Sequence, residues 1–342
     1  PVGKYDAPGV ADLVKDDKGV WSFTSTNLSP ELYSYNLILD GVKIVDPGSV
    51  YITRDITSET NIFILSDKKG DCGDLYTVNE VPHGNVQKVW YDSPTLKMQR
   101  RMTVYTPAGY DKGKDYPVLY LLHGAGGDED AWTTLGRAQH ILDNLIATGK
   151  AKPMVVVMTN GNPNCQAAPG EWSAGQYIPS FYGYQGAKPA ATMDESFPDV
   201  MNYVESHYKV AKDKAHRAIC GLSMGGGHSF DISRRFPTKF DYIGLFSAGL
   251  HVGTTGDFRS DFYKQLQGNE EAKTQLATLF KNKPKLYWIG MGKTDFLYKS
   301  SADLRRYFDE KGYKYTYLET EGGHIWRNWR VYLTEFAQKI FK

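Results

Sequence analysis

Residues 216–235 read HRAICGLSMGGGHSFDISRR. An apolar run with strand character, 216–220, leads directly into Ser223. A helical pattern near 225–235 follows directly after it. Ser223 stands between Gly221 and Gly225, so the stretch spells G-x-S-x-G. In a chain with 34 glycines the spelling alone says little. Its place between a strand and a helix says more: a sharp strand-to-helix turn lifts the hydroxyl off the sheet edge. Side chains two residues to either side would collide with the strand and the helix, which is a reason for glycine there. Gly226 and Gly227 let the helix lie close to the sheet. The helix N-terminus adds unpaired N–H groups and positive potential where an oxyanion would form.

Outward from this turn the chain alternates strands and helices. Apolar runs at 118–123, 154–160, 216–220, 242–248, 285–292 and 313–319 are separated by amphipathic segments near 135–148, 196–208, 225–235 and 300–311, with a last helix near 326–341. Fully apolar strands alternating with helices predict a mostly parallel sheet with helices on both faces. Segments 85–93 and 96–107 read as a hairpin before it. The first 70 or so residues differ. VWSFTS (20–25), LYSYNLIL (32–39) and TNIFILS (60–66) alternate between Gly- and Asp-rich turns, predicting a small all-β, immunoglobulin-like sandwich. We place a β unit at 1–75, a linker at 76–85 and an α/β unit at 86–342.

Composition removes several functions. Lys plus Arg number 40 against 39 Asp plus Glu, so there is no basic excess for a nucleic-acid partner. No apolar run reaches the length of a membrane span. Cys72, Cys165 and Cys220 form no C-x-x-C and no metal-ligand spacing, so neither a disulfide framework nor a zinc site is indicated, and no metal or cofactor is expected. One disulfide among them would leave one free thiol.

A serine hydroxyl needs a base, and the base an orienting acid. In this kind of sheet the order along the chain is serine, acid, histidine. After Ser223 only His228, His251 and His324 remain. His228 is one turn into the helix and faces away. His251 follows strand 242–248 and precedes the expected acid. His324, in EGGHIW, follows the last strand at the carboxyl edge and is the favoured base. Asp295, just past strand 285–292, is the favoured acid, with Asp257 as the fallback. Two backbone donors would hold the oxyanion: the N–H of Met224, and one from the loop in LLHGAGGDEDAW (121–132), for which Ala125 is the candidate and Gly124 or Gly126 the neighbours. His123 would brace that loop.

LLHGAGGDEDAW, GLSMGGGHS, GMGKTDFLY and EGGHIWRNW together resemble the esterase D-like α/β-hydrolases of carbohydrate esterase family one, which includes feruloyl and acetyl-xylan esterases. The resemblance covers most of 86–342. It implies the α/β-hydrolase fold, a triad of Ser223, Asp295 and His324, and oxyanion amides at Met224 and Ala125. The segment VWSFT…LYSYNLILDGVKIVDPGS resembles the early-set β-sandwich of carbohydrate-binding module family 48, here with a short lead-in. Its Trp21, Tyr33 and Tyr35 fit core or interdomain packing better than ligand stacking.

The segment 162–186 is long and aromatic, a loop of functional length. Trp172, Tyr177, Phe181, Tyr182 and Tyr184, with Trp326 near the base, are candidate walls for a planar acyl group. The expected reaction is serine ester hydrolysis releasing hydroxycinnamic acid from feruloylated arabinoxylan. Acetylated xylan is the alternative substrate. Acyl transfer to a sugar and a catalytically lapsed sugar-binding protein are the alternative classes. A secreted or periplasmic location follows from the substrate class.

Overall fold

The computed structural model describes residues 3, 4, 7–25, 28–172, 189–253 and 261–342. Among the described residues nine short strands come first: β1 (Gly3–Lys4), β2 (Ala7–Pro8), β3 (Val14–Lys15), β4 (Trp21–Ser22), β5 (Glu31–Tyr35), β6 (Leu37–Leu39), β7 (Val42–Ile44), β8 (Ile52–Asp55) and β9 (Ser58–Leu65). They pair as β1–β2, β3–β4, β6–β7 and the three-stranded β5–β9–β8, all antiparallel. Among the described residues before Tyr76, Ile62 is the one buried apolar side chain. Leu32 and Ile64 rest instead on the core of the following unit. Two arginines of the C-terminal helix close on Glu31, Arg330 at 3.1 Å and Arg327 at 3.3 Å.

The stretch expected to link the two units is anchored. Helix α1 (Cys72–Tyr76) is capped by Asp71, whose side chain accepts from the Asp74 amide. It puts Tyr76 in the apolar core. Asp143, buried on α3 (Ala138–Ala147), accepts from the Gly84 amide at 2.9 Å and the Tyr105 hydroxyl at 2.7 Å, and lies 3.0 Å from His83 Nδ1.

The α/β unit then follows the expected alternation. Strands β10 (Asn85–Ser93) and β11 (Met98–Thr106) form the hairpin; β12 (Val118–Leu122), β13 (Val155–Thr159), β14 (Arg217–Leu222), β15 (Tyr242–Phe246), β16 (Leu286–Gly292) and β17 (Thr316–Thr320) complete the sheet. The described order is β10-β11-β13-β12-β14-β15-β16-β17, parallel from β13 onward. Besides α1 and α3, the helices are α2 (Ala131–Thr134), α4 (Met193–His207), α5 (Met224–Arg235), α6 (Phe262–Gln267), α7 (Glu270–Lys281), α8 (Tyr298–Lys311) and α9 (Trp326–Ala337).

Both sheet faces are apolar because both are covered. Val118, Tyr120 and Leu122 of β12 face one core with α4 to α8; Leu119 and Leu121 face the other with α3 and α9. The parallel strands all end at one edge, and loops leaving that edge hold the functional groups of open α/β sheets. No disulfide joins any of the three cysteines; Cys165 and Cys220 are buried. No described helix is long and apolar enough to cross a membrane.

Candidate active site

Ser223 occupies the turn between β14 and α5 at φ 53° and ψ −116°, outside ordinary regions for a residue with a side chain. Three backbone bonds hold it there. Its N–H donates to the Phe246 carbonyl at 2.9 Å, and its carbonyl accepts from Gly227 at 3.0 Å and Gly249 at 2.9 Å. The glycines around it are sterically required. A Cβ on Gly221 would stand 2.5 Å from the Gly225 carbonyl oxygen, and one on Gly225 would stand 2.5 Å from the carbonyl oxygens of both Leu122 and His123. A Cβ on Gly226 would meet the Ala248 methyl at 2.7 Å.

Two strands further along, the loops after β16 and β17 are zipped together. Lys293 donates to the Thr320 carbonyl at 2.9 Å and Thr294 to that of Gly322 at 3.0 Å. The fully buried Asn328 of α9 donates its side-chain amide to the carbonyls of Glu321 and Gly323 at 3.0 and 2.9 Å. This places His324 Nδ1 at 2.9 Å from Asp295 Oδ2 and 3.1 Å from Oδ1. The Asp295 carboxylate is shielded from solvent and also accepts the Leu297 amide at 2.8 Å. The imidazole packs beside Phe296, with centroids 4.6 Å apart, and edge-on to Trp329 at 4.9 Å. With Nδ1 engaged by the carboxylate, Nε2 is the nitrogen left for proton exchange. Among the described residues Ser223 Oγ and His324 Nε2 share no hydrogen bond, a contact that often tightens only when substrate is bound.

The third element is the loop after β12. His123 is buried, and its Nε2 accepts the Gly161 amide at 2.7 Å. Nδ1 therefore carries the proton and donates to the Gly124 carbonyl at 2.7 Å. The same carbonyl accepts from Gly127 at 3.1 Å. The peptide group is planar and trans, so fixing the Gly124 C=O fixes the Ala125 N–H pointing the opposite way. Burial lowers the His123 pKa and keeps the ring neutral, as this arrangement needs. Among the described residues the Ala125 amide has no backbone acceptor, and Ala125 itself is exposed. Met224 is the first residue of α5, where an amide has no partner within the helix. A Cβ on Gly124 would stand 3.2 Å from Ser223 Cβ, so this loop borders the serine.

The other expected residues divide. His228 lies beside Gly161; its Nδ1 is buried without a partner, and burial lowers its pKa to about 4. His251 lies near Asp231 and His228. Trp326, half-buried, packs its ring edge-on against Trp132 and Trp329, each at 5.2 Å. Trp172 is half-buried. Tyr177, Phe181, Tyr182, Tyr184 and Asp257 lie outside the described residues.

Sequence reasoning passed over a buried ion network under this loop. Glu129 accepts from Arg101 at 2.7 Å, from the Ala168 amide at 2.9 Å and from the Asn160 side chain at 2.9 Å. Arg100 donates to the carbonyls of Cys165, Asn160 and Asn162. Two adjacent arginines on β11, Arg100 and Arg101, were the available signal. Side chains alternate faces along a strand, and in a sheet covered on both faces both arginines point inward and need buried partners.

The Esterase family model matches residues 93–340. The endo-1,4-beta-xylanase/feruloyl esterase of Xylanibacter ruminicola is 33% identical over 341 residues, covering 96% of this chain and 41% of its own length. The chain thus spans under half the length of that relative. The acetyl esterase of Caldicellulosiruptor saccharolyticus is 23% identical over 271 residues, covering 73% of this chain and 90% of that one. Among solved structures, a ferulic acid esterase superposes with a TM-score of 0.60 at 25% identity, covering 76% of this chain and 98% of that one. The ferulic acid esterase of Anaeromyces mucronatus gives 0.60 at 24% identity, covering 79% and 96%. The chain therefore belongs to the Esterase family and is a carboxylic ester hydrolase with the α/β-hydrolase fold.

Proposed function

We propose that this esterase cleaves hydroxycinnamoyl esters of arabinoxylan through an acyl-enzyme on Ser223. The observation that carries the reading is the contact of His324 Nδ1 with the shielded Asp295 carboxylate, on loops leaving the same sheet edge as the strained Ser223 turn. His324 Nε2 takes the serine proton as Oγ attacks the ester carbonyl. The amides of Met224 and Ala125 receive the developing oxyanion. The imidazolium, stabilised by Asp295, hands its proton to the departing sugar oxygen. Water then repeats the sequence on the acyl-enzyme and releases the acid. The xylanase/feruloyl esterase relative at 33% identity and the ferulic acid esterase structure support a hydroxycinnamoyl group; the more distant acetyl esterase relative keeps acetyl as the alternative. An arabinoxylan substrate places the work outside the cytoplasm.

The test compares methyl ferulate with an acetylated xylo-oligosaccharide, in the parent and in Ser223→Ala. Faster turnover of methyl ferulate is expected, with a loss on the order of 10⁴-fold or more in the variant. A parent that prefers the acetylated sugar would replace the hydroxycinnamoyl reading with xylan deacetylation. Sugar esters among the products would indicate acyl transfer.

A further inference from the structure

We propose that the tip of the β8–β9 hairpin positions the oxyanion loop, with Ile56 and Arg54 as positioning residues. This rests on the reading of Ser223 and Ala125 above. The first observation is a local conflict. Asp55 pairs with Ser58, so Ile56 and Thr57 form a two-residue turn. Ile56 sits at φ 55°. The first central position of such a turn favours glycine when φ is positive. A β-branched side chain there is a true outlier. Strain of this kind persists where the surroundings demand it, and it gathers at functional sites.

The surroundings here are the oxyanion loop. The Ile56 side chain lies on Gly126: a Cβ on that glycine would stand 3.0, 3.1 and 3.2 Å from Ile56 Cγ1, Cγ2 and Cδ1. Gly126 follows Ala125 and is itself at φ 79°. Arg54 reaches both partners. Its Nη1 donates to the Ile56 carbonyl at 2.8 Å, and its Nη2 donates to Asp128 Oδ2 at 2.6 Å. Asp128 is buried, and its other oxygen accepts the Asp130 amide at 3.0 Å, just before α2. The loop Gly124-Ala125-Gly126-Gly127 has three residues without side chains and so much backbone freedom to lose. His123 fixes it on one side, at Gly124. The hairpin tip fixes it on the other, at Gly126 and Asp128. An oxyanion donor acts through being set in place before charge develops, so the tip contributes to turnover without touching substrate.

The test uses the full chain and methyl ferulate. Ile56→Gly removes the side chain and gives the turn its preferred residue. The expected result is a kcat lower by on the order of tenfold, KM within about twofold of the parent, and a Tm equal or higher. Phenylboronic acid, which forms a tetrahedral adduct on an active serine, should lose affinity by the same factor as kcat/KM, with ferulate inhibition unchanged. Arg54→Gln should lower kcat likewise, with Arg54→Lys restoring part of the loss. A kcat for Ile56→Gly within about twofold of the parent would overturn the proposal. So would unchanged phenylboronate affinity, or a kcat loss that appears only together with a lowered Tm. Turnover retained in Ser223→Ala would instead overturn the underlying reading; an inactive Ser223→Ala beside a fully active Ile56→Gly removes the hairpin role alone.

Discussion

His324 Nδ1 lies within 3.1 Å of both oxygens of Asp295, on a carboxylate closed off from solvent. That geometry fixes which imidazole nitrogen is protonated. Asp295→Asn keeps the shape but presents an amide to the ring and disturbs the tautomer. We expect kcat on methyl ferulate to fall by about 10³–10⁴-fold with a near-native circular dichroism spectrum. A smaller loss than about tenfold would remove Asp295 from the triad.

His123 is the second positioning group. His123→Ala leaves the Gly161 amide without its acceptor and the Gly124 carbonyl without its ring donor. The Ala125 amide then loses its fixed direction. We expect kcat to drop on the order of 10²-fold, approaching the loss of one oxyanion donor, with KM little changed. Steady-state kinetics on methyl ferulate separates the two parameters.

Gly225→Ala tests the steric reading of the turn. The new methyl would press on two backbone carbonyl oxygens of the β12 end, which cannot swing aside. Overpacking of this sort costs about 1–3 kcal/mol or more. A melting curve should show a clearly lower Tm, and the surviving protein should be nearly inactive.

Glu31 ties the first β unit to α9. It is buried, as is Arg330. Glu31→Ala strands that guanidinium without its carboxylate, at a cost of about 3–5 kcal/mol. Urea unfolding should report the loss; a change below about 1 kcal/mol would show that the pair contributes little.

Burial holds His228 and His140 near 4 in the folded protein, below the ordinary 6.5. Between those values the unfolded chain binds protons that the native one does not. Stability therefore rises with pH across this window and falls as the solution is acidified from 6.5 toward 4. Each histidine contributes at most about 1.4 kcal/mol per pH unit. Tm measured against pH should show the decline, and His228→Gln should flatten it.

Much of this architecture was readable from the chain. The parallel sheet follows from apolar runs that need cover on both faces, and the Ser223 turn from glycines that sterics demand. The contact of His324 with Asp295 was foreseeable because loops leaving neighbouring strands at one edge lie within reach of each other. Other features depend on pairings distant in sequence. Arg54 and Asp128 are 74 positions apart, and nothing near Ile56 announces that Gly126 will lie beneath it. Helices α6 and α7 occupy 262–281, where no helix was expected; Asp261 and Asn269, which cap them, were the usable signals. Helix α4 starts at Met193 rather than near 196, set by the Thr192–Glu195 capping box. The ring contacts of Trp326 with Trp132 and Trp329 are likewise pairings that its own neighbourhood in sequence shows only in part.

The three thiols carry a practical consequence. No cross-link joins them, so the native state owes nothing to an oxidising medium. Dithiothreitol should leave both melting temperature and turnover where they were, and expression in a reducing bacterial cytosol should yield the same active molecule as export.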